Sequence, residues 1–306
     1  MKILGVDTST PVNTVALCAD GRVLAETVVD CGRAHAERLM ATVDWVLGQA
    51  GVPIDKVELL AVSKGPGSFT GLRIGVAAWK GLALAGGLPT IGVPTLDAMT
   101  RVGAFHDCAV CPLLDAKMSE VFGAVFRFTA QGREKIVEDC VAPIEKILER
   151  APDDTIFFGD GAELYRDAIL SARPHATILG GAFRSPRASA ICFEAEALLA
   201  EGCNTSAAEV RPVYLRMSQP EVVRAKAMSV SESAVLRFVP ITAAHLRDVL
   251  AIEQEAYPEP WSEGMFREEI HHPRSYFVVV MLDDKVIGYG GYWPLLDEAH
   301  ITSVTI

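Results

Sequence analysis

Residues 65–85 read Gly65-Pro66-Gly67-Ser68-Phe69-Thr70-Gly71-Leu72-Arg73-Ile74-Gly75-Val76-Ala77-Ala78-Trp79-Lys80-Gly81-Leu82-Ala83-Leu84-Ala85. Glycines and a proline separate the short apolar segment Leu59–Ser63 from a helical pattern. Leu72, Val76, Trp79 and Ala83 recur at the spacing of one helical stripe, and Gly86-Gly87 ends the pattern. The small residues Ala77, Ala78 and Gly81 leave room for another backbone. Such a helix, apolar around most of its girth, wants neighbours on more than one side. Ser68 or Thr70 suits the N-cap. Three glycines at a helix start could cradle an anion, but the GK[ST] ending of a P-loop is absent.

The same alternation extends outward. Lys2–Val6 reads as a buried strand, Asp7-Thr8-Ser9-Thr10-Pro11 as turn chemistry and Thr14–Cys18 as a second strand. Ala19-Asp20-Gly21 is a hairpin signal, and Val23–Val29 a third strand. The spacing of Leu39, Val43, Val46 and Leu47 predicts a helix from His35 to Gly51. From Ala109 the pattern restarts. Strands are expected at Ala109–Leu114, Val121–Phe128 and Ile156–Gly159, and helices at Ile144–Arg150, Glu163–Ala172 and Ala188–Glu201. The expectation is two α/β lobes, 1–107 and 108–225, each a sheet with helices on it. Residues 226–234 have linker composition, and 235–306 form a further unit. In it, strands at 235–240, 276–282, 286–293 and 300–306 surround a helix capped by Thr242 and another starting at Trp261-Ser262-Glu263.

Composition narrows the functional classes. The chain has 306 residues, half of them hydrophobic, and a formal net charge of −11. That charge excludes a generic nucleic-acid binder, which lives on phosphate contacts and needs a basic surface. Any RNA would be held by a partner. The N-terminus meets a charge and a polar run too early for a signal peptide, and the longest uncharged stretch, Gly81–Leu96, is broken by glycine and proline. No membrane association and a cytoplasmic location are expected. Seven cysteines, an odd number, fit a reducing compartment. Cys108 and Cys111 form a lone CxxC without the second pair a structural zinc site needs.

The opening ILGVDTST, His35-Ala36-Glu37-Arg38-Leu39, GPGSFTGLRIGVAAWKGLA, Asp115-Ala116-Lys117 with Glu120-Val121, Phe158-Gly159-Asp160-Gly161 and Pro212-Val213-Tyr214-Leu215-Arg216 together resemble the TsaB (YeaZ) family over about residues 1–225. The resemblance implies the two-lobed actin/Hsp70-like (ASKHA) α/β fold. It also implies a non-catalytic partner subunit of the machinery that makes N6-threonylcarbamoyladenosine at position 37 of tRNA, binding and activating TsaD. The implied partners are TsaD and TsaE, with tRNA reached through the complex and a homodimer when the chain is isolated. No intrinsic cofactor or catalytic residue is implied; ATP and metal belong to the partner subunits. In the actin-like group an Asp at the end of the first strand orients metal-bound water and the following turn contacts phosphate. Here that phosphate-loop-like turn is Asp7, Thr8, Ser9 and Thr10, and Ser9 stands where the group has glycine, so its side chain would crowd a phosphate. Thr95 and Met99 fall where TsaD carries its two metal-binding His residues, and neither binds a metal as imidazole does. His35 and Glu37 lack a third partner and fit a solvated or capping role. The family pairs its first two helices with those of TsaD. Leu39, Val43, Leu72, Val76, Trp79 and Ala83 are therefore candidates for the core or for the partner interface.

Ile252-Glu253-Gln254-Glu255-Ala256-Tyr257-Pro258-Glu259-Pro260-Trp261-Ser262, Phe266 and Asp297-Glu298-Ala299-His300-Ile301 resemble the N-terminal part of RimI-like GNAT acetyltransferases, which act on a ribosomal-protein N-terminal amine. The resemblance implies an incomplete α+β unit. The acetyl-CoA pyrophosphate loop of that group would begin just past Ile306, so an acetyl-CoA site is expected to be absent and the unit inactive.

Overall fold

Asp20 and Gly21 adopt positive φ (50° and 71°), the conformation a two-residue hairpin demands. That turn joins β2 (Val12–Ala19) to β3 (Arg22–Asp30), and β2 also pairs antiparallel with β1 (Lys2–Asp7). These elements belong to a computed structural model that describes every residue except 31, 33–34, 217–235, 258–259, 274, 283, 296–297 and 306. It divides into two units, Met1–Ser218 and Gln219–Ile306. The expected linker 226–234 lies outside the described residues.

In the first unit, β4 (Leu59–Gly65) and β5 (Thr90–Pro94) extend the first sheet in parallel, giving the order β3-β2-β1-β4-β5. Helices α1 (His35–Ala50) and α2 (Phe69–Gly86) cover one face. Ser68 caps α2 by accepting the Gly71 N–H at 3.3 Å, and Gly87 closes it in the left-handed conformation. The helix ends thus fall within a residue or two of expectation. A short helix α3 (Thr95–Met99) leads to the second sheet, ordered β10-β9-β6-β7-β8. Its strands are β6 (Cys108–Lys117), β7 (Glu120–Thr129), β8 (Gly132–Ala142), β9 (Thr155–Phe158) and β10 (Thr177–Leu179). Between them run α4 (Ile144–Arg150), α5 (Asp160–Leu164) and α6 (Arg166–Ala172).

The expected lobe boundary needs correction. Helix α7 (Ala188–Ala200) lies by position within 108–225, yet Ile191, Cys192 and Ala195 pack with Ile3, Ala16, Leu59 and Ile91 of the first sheet. Its small, apolar residues suit a close approach: a Cβ on Gly5 would lie 2.5 Å from Cys192 Sγ. The first lobe is therefore discontinuous in sequence.

In the second unit, β11 (Leu236–Pro240), β12 (Tyr276–Leu282), β13 (Lys285–Leu295) and β14 (Glu298–Thr305) form an antiparallel sheet in that order. Helices α8 (Leu246–Ala256) and α9 (Glu263–His271) supply Val249 and Phe266 to a core with Phe277, Val279 and Tyr289. Thr242 and His245 form a capping box, and Ser262 caps α9. The buried Glu253 accepts hydrogen bonds from the Tyr289 hydroxyl and, at 2.9 Å, from Trp261 N–H, so this carboxylate is fully engaged in fold.

Candidate functional site

Asp7 ends β1, where the backbone register sets it opposite Thr14 and beside the end of β4. Its carboxylate is fully buried. Oδ1 accepts the Ser9 N–H at 3.0 Å, and the Ser9 hydroxyl lies 2.9 Å from both carboxylate oxygens. Burial pushes the Asp7 carboxyl up to about 6, with a smaller contribution from the negative Asp160, against the pull of hydrogen bonds from Ser63 and Ser9.

The rest of the turn is closed by α2. Thr8 Oγ1 donates to Gly71 O at 2.8 Å, and Ser68 N–H donates to Ser9 O at 2.7 Å. A Cβ on Gly67 would lie 2.6 Å from Ser9 O, and one on Gly71 would lie 2.0 Å from Thr8 O. The glycines of the 65–71 string thus serve contact between the hairpin and the helix start, rather than contact with an anion. Thr10 Oγ1 accepts the Val12 N–H, and Thr8, Ser9 and Thr10 are all buried. A phosphate cradle needs free N–H groups around open space. This turn has spent its Ser9 donor internally and filled the space with side chains, so it does not fit a phosphate.

Facing it from the second lobe, Asp115 N–H donates to Asp160 Oδ1 at 3.0 Å, and Lys117 pairs with Asp115. Burial and the Asp115 charge hold the Asp160 carboxyl above its ordinary range. Thr95 is buried with its hydroxyl unpartnered, and Met99 lies in the core with Phe126 and Phe158. These two residues do not fit a metal site. Among the described residues no three His, Cys, Asp or Glu side chains converge. Glu37 is exposed on α1. Cys111 is buried and Cys108 partly so; burial pushes both thiols up, away from the thiolate that metal binding or redox chemistry needs.

The six residues weighed between core and interface all fall on one side. Leu39, Val43, Leu72, Val76, Trp79 and Ala83 pack against the first sheet with at most 5% exposure, and Trp79 Nε1–H donates to Leu4 O at 3.2 Å. A side chain committed to this core cannot also face a partner, so the interface assignment of these positions is corrected. The outward stripes of the same helices carry Met40 and Trp45 on α1 and Ala77, Gly81 and Leu84 on α2. Leu84 is 88% exposed, and open space surrounds the Gly81 Cα. Helical spacing located the stripes but not which one the sheet would cover; the girth of α2 is apolar on both sides.

Residues 29–224 match the family model of TsaD, tRNA N6-adenosine threonylcarbamoyltransferase, and residues 246–306 match the GNAT acetyltransferase family. The Escherichia coli tRNA threonylcarbamoyladenosine biosynthesis protein TsaB is 32% identical over 223 residues, covering 71% of this chain and 95% of its own. An uncharacterized Mycobacterium leprae protein is 27% identical over 295 residues, covering 94% of this chain and 74% of its own. The YeaZ structure from Pseudomonas aeruginosa superimposes with a TM-score of 0.60 at 28% identity, over 70% of this chain and 99% of that one. No helix among the described residues is long and apolar enough to cross a membrane. The chain belongs to the TsaB (YeaZ) family, with the two-lobed actin-like fold of that family followed by a GNAT-type region.

Proposed function

We propose that this chain is a non-catalytic subunit in tRNA N6-threonylcarbamoyladenosine biosynthesis, binding and activating TsaD. The observation that carries this reading is the exposed apolar surface on α1 and α2. Met40, Trp45 and Leu84 stand out from helices whose inward stripes are committed to the core. Exposed large apolar side chains beside small residues are what a helix-pairing face requires. The filled Asp7–Thr10 turn agrees with it, because the chain holds no phosphate cradle there; ATP and metal are supplied by the partner subunits, TsaE included. tRNA meets the complex rather than this acidic chain. Without TsaD the same face pairs two copies of the chain, in the cytoplasm.

Mixing the purified chain with TsaD, TsaE, tRNA and the threonylcarbamoyl donor is expected to switch modification on. Leu84→Asp and Trp45→Glu are each expected to weaken pairing with TsaD at least about tenfold, the effect of losing roughly 1.4 kcal/mol. Calorimetric titration measures this; unchanged Kd values in both variants would remove the proposed face. A second reading rests on the GNAT match at 246–306: a bifunctional protein whose C-terminal part belongs to a ribosomal-protein N-terminal acetyltransferase. Tight acetyl-CoA binding by this chain would favour it.

A further inference from the structure

We infer that the two lobes of the Met1–Ser218 unit are latched at one fixed angle, so that these lobes have no hinge motion to couple to a ligand. Three features, each made of different residues, join the lobes. The first is the crossover itself. Leu96 and Met99 of α3 lie in the core of the second lobe with Phe126 and Phe158, while Ala98 lies in the core of the first with Ile191 and Ala195. A hinge works through a few exposed residues that absorb backbone rotation; this connection is packed into both cores.

The second is an ionic cluster. Glu194, on α7 of the first lobe, is 2% exposed. It accepts Arg101 Nε at 2.5 Å and, from β8 of the second lobe, the Arg133 guanidinium at 2.6 and 3.0 Å. Arg133 also donates to Asp97 O and to Thr100 Oγ1, and Lys135 bridges Asp97 and Asp139 at 2.6 and 2.9 Å. Separating the lobes would strand these charges in partly dry surroundings, which is costly because removal of one member leaves the others uncompensated.

The third is a strap. Val210 packs in the core of the first lobe, and Val213 N–H donates to Lys64 O at 2.6 Å. The Tyr214 ring lies 4.5 Å from that of Phe69, and its hydroxyl accepts from Arg73 at 3.1 Å. Leu215 then packs on the core of the second lobe, and Arg216 donates to Ala116 O at 3.0 Å and pairs with Glu120. The short stretch 210–216 thus fastens one lobe to the other, away from the Glu194 cluster in sequence.

The latch goes beyond the partner role and does not depend on it. Amide hydrogen exchange of the full chain tests it. In the unaltered protein, residues 95–102 are expected to exchange with the slow core of both sheets, and MgATP is expected to leave the pattern unchanged. Glu194→Ala is expected to speed exchange across 95–102 at least about tenfold, equivalent to roughly 1.4 kcal/mol of opening free energy, while α1 stays protected. Arg101→Ala, which leaves Arg133 on Glu194, is expected to act in the same direction by less and serves if the first variant does not fold. Exchange at 95–102 as fast as in the exposed turn at 130–132, protection gained on adding MgATP, or no acceleration in either variant overturns the latch.

Discussion

Asp7→Asn is expected to stabilise the Met1–Ser218 unit by about 3 kcal/mol at pH 7.5 and by almost nothing at pH 4. The wild-type carboxyl is fully buried and titrates near 6 when folded, against an ordinary 3.8. A raised folded value means that the proton is held more tightly in the native state. The stability associated with it is complete below 3.8 and is lost as the pH rises through 6, where the folded protein must carry a buried negative charge. The shift of about two units corresponds to about 3 kcal/mol. Asparagine keeps the shape, accepts the Ser9 N–H through Oδ1, and can donate its amide to the hydroxyl oxygens of Ser9 and Ser63 beside it. Urea unfolding between pH 4 and 8 is the measurement. The wild-type midpoint should fall relative to the variant as the pH passes 6; parallel curves would show that burial of this charge costs nothing.

Gly159→Ala is expected to destabilise the same unit by about 3–5 kcal/mol, enough to threaten folding. Gly159 precedes α5 with φ of 105°, a conformation closed to ordinary side chains, and an added Cβ would sit 2.0 Å from Leu113 O. The backbone strain and the clash with a main-chain atom of β6 therefore act together, and neither atom can rotate away. Gly132→Ala separates the two effects. Gly132 has a similar φ of 125°, but nothing lies within 4 Å of its Cβ position, so only about 1–2 kcal/mol is expected. Equal midpoint shifts for the two variants would show that the contact with Leu113 is irrelevant. Because Gly159 immediately precedes Asp160, this glycine turn also sets the position of a carboxylate whose charge acts on Asp7.

Most of the first sheet was legible because its strands are continuous apolar runs bounded by turn residues, as Lys2–Asp7 and Leu59–Gly65 show. Strand β8 was not, for a specific reason. Its inward positions include Arg133 and Lys135, which lie near the Phe126 ring and serve the ionic cluster. A strand whose buried side is charged loses the period-two hydrophobic signal. The destination of α7 was hidden differently: an apolar helix signals burial, but not against which of two sheets. At the candidate site, Ser9 could be read as a side chain in place of glycine, but not that its hydroxyl turns back onto both Asp7 carboxylate oxygens. The outward Trp45 and Leu84 were missed because their inward neighbours carry the stronger periodicity. The strap at 212–216 appears in the sequence only as a short string without periodicity; its role comes from which side of each lobe the chain passes.

The interlaced path of the chain has a practical consequence for anyone dividing the gene. A fragment ending at residue 107 would lack α7, leaving one face of the first sheet bare, and would carry Leu96 and Met99 with no aromatic bed to receive them. Split-protein reporters and half-length expression schemes depend on pieces that stay dissolved alone, and this border yields none. A nick at the exposed turn 130–132, by contrast, leaves both cores that receive α3 built from the same residues.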